Sequence, residues 1–94
     1  MEKKFIEAWR ESREKAEQLG ARIRPVPEEG AMAQAHRILS GHRESDGFGF
    51  LAERGHLELT LEALAVDKRF TELFTDEEAN EALNRLLDGG YHFA

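Results

Sequence analysis

Phe5, Trp9, Ala16 and Leu19, with Ser12 between them, follow one another at alternating intervals of four and three residues. That spacing puts them on one stripe of an α-helix. Gly20 stands where a left-handed C-terminal cap belongs, so the pattern predicts a helix over 2–19. Glu11 and Lys15 add a favourable i,i+4 pair on its wet side. The stripe is too short for a coiled coil, and packing into a core is expected.

The next segment, ARIRPVPEEG, breaks the pattern. Pro25 and Pro27 fix φ and remove backbone donors, which makes the segment extended and unfit for a central strand. Pro27, Glu28 and Glu29 suit the opening turn of a second helix over 28–40. Its apolar face is Ala31, Met32, Ala35, Ile38 and Leu39, and Gly41 ends it.

Ser45 or Asp46 can cap a third helix over 46–54, covering Phe48, Leu51 and Ala52 and closed by Gly55. Gly47 and Gly49 each weaken it by about 1 kcal/mol against alanine. HLELTLE alternates like a strand, but a lone strand would leave its backbone groups unpaired. Helical spacing at Leu61, Leu64 and Ala65 favours a helix over 59–66 instead. Asp67 can cap a further turn over 68–74 that presents Phe70, Leu73 and Phe74.

The last helix, 76–88, carries the strongest signals. Thr75 and Glu78 have the spacing of a capping box, and Ala79, Ala82, Leu83, Leu86 and Leu87 form one stripe. Gly89 and Gly90 stop it, and the aromatics Tyr91 and Phe93 of the tail are expected to pack back on the body. The predicted fold is all-α, a compact bundle of four to six short helices in a single domain.

Size and composition narrow the classes of function. Ninety-four residues leave room for one core. With no cysteine, disulfides, thiolate metal sites and a cysteine nucleophile are excluded. No window approaches the run of about 20 apolar residues that a membrane span needs, and residues 1–15 lack the apolar core of a secretory signal. A cytoplasmic protein with no membrane partner is expected.

Net charge is −6 and is unevenly distributed. Residues 1–47 hold nine Lys/Arg and nine Asp/Glu, whereas residues 48–94 hold four and ten, so the whole excess lies in the second half. Such asymmetry bears on partners rather than on fold.

Candidate chemistry is sparse. HRILSGHRESDGFGF repeats a His-Arg pair at His36-Arg37 and His42-Arg43 around Gly41. Cations at a helix C-terminus complement its dipole and free carbonyls, which explains the repeat without a ligand. A metal site built from His36, His42, Glu44 and Asp46 lacks the i,i+4 histidine spacing of helical zinc sites, so no metal and no cofactor are expected.

Ser40 and Ser45 lie near the histidines without a nucleophile elbow or a third partner, and no acid-base pair stands out. A non-enzymatic protein is expected. Arg22, Arg24, His36, Arg37, His42 and Arg43 make an alternative patch for phosphate or nucleic acid, opposed by the net negative charge. A small metal-dependent or phosphate-acting enzyme is a remoter alternative.

The leading expectation is recognition by charge. Glu72, Asp76, Glu77, Glu78 and Glu81 gather around the last helix, and a concentrated acidic face orients a protein partner with a basic surface. An inhibitor or accessory factor of a nucleic-acid-handling complex, of the kind phages and mobile elements carry, is one concrete form of that role.

Overall fold

The computed structural model describes residues 1–92. Five α-helices follow in order: α1 (Glu2–Gln18), α2 (Ala31–Ser40), α3 (Phe48–Glu53), α4 (Leu61–Ala65) and α5 (Asp76–Asp88). Short 3-10 turns at Leu57–Leu59 and Thr71–Leu73 precede α4 and α5. No strand occurs among the described residues, so the fold is all-α. α5 packs most closely on α4 and next on α2.

α1 ends as its sequence dictates. Gly20 adopts φ +109°, the Gly20 N–H bonds the Glu17 carbonyl at 2.9 Å, and the Ala21 N–H bonds that of Ala16 at 3.1 Å. This is the Schellman pattern, which brings the buried Ala16 and Ala21 into one apolar group. Phe5, Trp9 and Ala16 are buried as expected, whereas Leu19 lies beyond the last turn and is exposed.

The extended segment after α1 has no strand to pair with. Arg13 supplies the missing donors through bonds from Nη2 to the Ile23 carbonyl (2.9 Å) and from Nε to that of Arg24 (3.0 Å). α2 starts later than the prolines suggest. Gly30 takes φ +73° immediately before Ala31, which turns the chain and leaves Pro27, Glu28 and Glu29 outside the helix.

Two more caps differ from expectation. α3 begins after Gly47, at φ +77°, because Ser45 and Asp46 are engaged elsewhere. The alternating stretch before α4 forms a 3-10 turn. Thr60 then caps α4, its Oγ accepting from the Ala63 N–H at 3.2 Å and donating to the Leu57 carbonyl at 2.7 Å. Asp67 accepts from the Arg69 backbone, in a turn that leads to the buried Phe70 and Phe74.

The core has two parts. Phe5 is its aromatic centre, with ring centroids 5.9 Å from Trp9, 5.5 Å from Phe70 and 5.2 Å from Phe74, the last two meeting edge to face. Ala31, Ala35 and Leu39 of α2 and Leu61, Leu64 and Ala65 of α4 close around it. The second part joins Ala16, Ala21, Phe48, Leu51, Leu57 and Leu86. Tyr91 packs against it, while Phe93 lies outside the described residues.

α5 is rotated from the orientation its leucines predict. Its buried residues are Glu78, Ala82, Arg85 and Leu86, with Ala79 and Leu83 half-buried. Leu87 is 53% exposed. Two charged side chains hold positions that a purely apolar stripe would have filled, and they build the site described next.

Candidate partner-binding site

The start of α5 is a reciprocal cap. Thr75 Oγ accepts from the Glu78 N–H at 3.1 Å, and Glu78 Oε1 accepts from the Thr75 N–H at 2.9 Å. The second oxygen of Glu78 meets His36 Nδ1 of α2 at 2.6 Å. That ring in turn lies against Phe74, with centroids 5.4 Å apart. Burial alone would raise the Glu78 carboxyl. The Thr75 backbone donor and the His36 ring outweigh it, and the net shift is downward.

Seven residues further on, Arg85 reaches in from the same face. Its Nη1 donates to Glu62 of α4 at 3.1 Å and to the Ile38 carbonyl at 3.2 Å, and Nη2 donates to the Gly41 carbonyl at 3.0 Å. Nε donates to Glu81 at 2.7 Å. Glu62 is fully buried and accepts in addition from Ser45, from its backbone N–H at 2.8 Å and its hydroxyl at 2.5 Å. No buried side-chain polar atom among the described residues lacks a partner. Charges this deep are tolerated only under such complete satisfaction.

The HRILSGHRESDGFGF stretch therefore owes its shape to distant groups. The carbonyls at the end of α2 are bonded by Arg85 of α5, not by the local His-Arg pairs. The connector is anchored by Ser45 on Glu62 and by Asp46 on Arg24, whose Nε lies 2.8 Å from Asp46 Oδ2. Donation from the Arg24 side chain holds the Asp46 carboxyl below its ordinary value.

The expected acidic face divides in two. Glu72, Asp76 and Glu77 are exposed, whereas Glu78 is buried with its carboxylate held by Thr75 and His36, and Glu81 is half-buried against Arg85. Glu77 and Glu81 line an open groove beside the end of α2, together with Leu39, Ser40 and His42. Arg85 is the one cation α5 contains, and it points inward.

The arginine and histidine residues differ in their surroundings. Arg22, Arg37 and Arg43 are exposed, Arg24 is paired with Asp46, and Arg37 donates to Gln34. His36 faces Glu78, and His42 joins the carboxylate-lined groove. Among the described residues, no three His, Asp or Glu side chains stand as a metal cage. Among the described residues, no helix is long and apolar enough to cross a membrane.

Sequence reasoning missed the Glu62–Arg85–Ser45 network. One signal was available: Glu78, Ala82 and Arg85 fall at intervals of four and three, which puts both charges on the inward face. Comparison of the chain with models of protein families, with curated proteins and with solved structures finds no match.

Proposed function

We propose that this chain is a non-enzymatic binding module whose acidic second half engages a protein with a basic surface. One observation carries the reading. The surface from the turn before α5 into its first turn presents Glu72, Asp76 and Glu77 to solvent, while the single cation of α5 is turned inward. Complementation of the helix dipole accounts for Asp76 and Glu77 at the helix start but not for Glu72 or for the absence of an exposed cation on α5. A carboxylate-rich surface accelerates encounter with a basic partner and fixes its orientation.

The test is charge reversal at exposed positions. Glu72→Lys, Asp76→Lys and Glu77→Lys together leave every buried bond intact and should cost at most about 1 kcal/mol in dipole complementation. Association with the crosslinked, captured native partner should collapse in this variant. In the wild type it should slow steeply with added salt. Glutamine at Arg22, Arg37 and Arg43 should change little. Retention of nonspecific DNA, lost with those arginines and indifferent to the carboxylates, would instead favour a nucleic-acid-associated regulator.

A further inference from the structure

Residues 21–29 cross from α1 to α2 held by side chains alone. Among the described residues, no backbone group from 22 to 29 bonds to another backbone group. Arg13 holds the Ile23 and Arg24 carbonyls, and Arg10 Nη2 lies 3.4 Å from the Pro27 carbonyl. Asp46 accepts from the Arg24 backbone at 3.2 Å and from its guanidinium at 2.8 Å. The Arg24 side chain is 78% exposed, and an ion pair so open to water holds weakly. Ala21 and Val26 are the buried residues of the segment. Glycines at positive φ bracket it, Gly20 at +109° and Gly30 at +73°. Between them Pro25 and Pro27 fix φ, so the segment keeps its extended shape and turns about its ends. A cavity of about 60 Å³ lies between this segment and the body, walled by Ile23 and Arg24, by Trp9 of α1, by Ile38 of α2 and by Asp46 of the connector. Ligand pockets start at about 300 Å³, so with the segment seated the cavity admits only the smallest molecules.

We infer that residues 21–29 are a strap that lifts about Gly20 and Gly30 while the helices stay folded, opening the cavity beside Trp9 to a small uncharged molecule. The class of ligand follows from the walls. Trp9, Ile23 and Ile38 are apolar, and Arg24 and Asp46 already neutralise each other. Arg13, which also lines the cavity, is committed to Glu17 and to the carbonyls of the strap. No buried side-chain polar atom among the described residues lacks a partner, so an ion would find no group left to pair with it. The strap is independent of the acidic surface of α5, and neither reading needs the other.

The chain has no cysteine and one tryptophan, so introduced thiols and Trp9 itself report the opening. Val26→Cys puts a thiol on the buried side of the strap and Leu39→Cys puts one in α2, both in the same apolar group. Each whole chain is labelled with a soluble aromatic disulfide, and its global stability is measured in urea. The thiol at position 26 should react about tenfold faster than global unfolding allows, and the thiol at 39 at the global rate. Asp46→Asn weakens the latch on Arg24. It should speed labelling at 26 about threefold, the scale of one exposed ion pair, and leave labelling at 39 tied to global unfolding. Benzyl alcohol, an uncharged probe, should shift Trp9 fluorescence saturably in the cysteine-free chain. It should bind about threefold more tightly to Asp46→Asn, because the open state is more populated there. Benzylammonium, the charged counterpart, should bind more weakly than the alcohol.

Labelling at 26 no faster than global unfolding overturns the proposal, because the strap then moves only with the whole chain. A gain from Asp46→Asn that appears equally at 39 does the same. The absence of a saturable Trp9 shift, or tighter binding of benzylammonium, overturns the assigned class of ligand and with it the proposal. The fluorescence titrations need no cysteine. If Val26→Cys fails to fold they decide alone, and an affinity for benzyl alcohol that Asp46→Asn leaves unchanged or weakens overturns the strap.

Discussion

Arg85 and Glu62 meet at 3.1 Å with both side chains withdrawn from solvent, and through them α5, α4, the end of α2 and the connector after it share one set of bonds. Removing one member strands the other. Arg85→Met should destabilise the protein by about 3–5 kcal/mol, because Glu62 stays buried without its counter-charge. Adding Glu62→Gln should recover part of that loss, and urea titrations of the single and double variants measure the coupling. Equal, additive losses would mean that the two side chains act independently.

Glu78 gives the fold an acid-sensitive clasp. Its carboxyl is held below its unfolded value, so the clasp stabilises fully above the unfolded pKa, near 4.5, and that contribution disappears as pH falls through the lower folded value. Glu78→Gln keeps a side chain able to complete the cap but removes the charge facing His36. The melting-temperature gap between wild type and variant should be widest near neutral pH and should close toward pH 3. A gap that grew on acidification would reverse the assigned sign.

Trp9 lies in the first apolar group, beside Phe5 at 5.9 Å. Trp9→Ala should cost about 3–5 kcal/mol, a large fraction of what a domain of this size possesses. Circular dichroism melting should show an early, broadened transition. A melt within a few degrees of wild type would mean that the ring is not integral to the core.

The glycine-rich SDGFGF stretch invites an expectation of rapid amide exchange, and the structure replaces it. The Ser45 N–H is tied to buried Glu62, and Phe48 and Leu51 are themselves buried. Exchange at Ser45 should be slow in the wild type and about tenfold faster in Glu62→Gln, in proportion to a lost charge-assisted bond. Hydrogen exchange read by NMR resolves this amide from its neighbours.

Much of the fold was legible because its signals are local. The Phe5–Trp9–Ala16 stripe, the glycine after α1 and the Thr75–Glu78 cap each depend on residues a few positions apart, and each is present. The errors arose where a distant partner decides. Ser45 and Asp46 look like caps until Glu62 and Arg24 take their side chains. Leu87 looks like core until Arg85 turns the helix. The acidic residues around α5 do not share one exposed surface, since Glu78 and Glu81 are drawn toward His36 and Arg85.

The cap of α2 has a consequence for how the chain reaches this state. Its final carbonyls are bonded by a guanidinium 44 to 47 residues further along the sequence. Closing so long a segment costs entropy before any bond is returned. On the ribosome, α1 and α2 emerge well before the side chain that finishes the second of them. Until Arg85 arrives, Glu62 and the exposed carbonyls must be served by water, and the nascent chain can hold only a loosened version of its first half. Docking of α5 thus completes the buried bonds of α2 and α4 together.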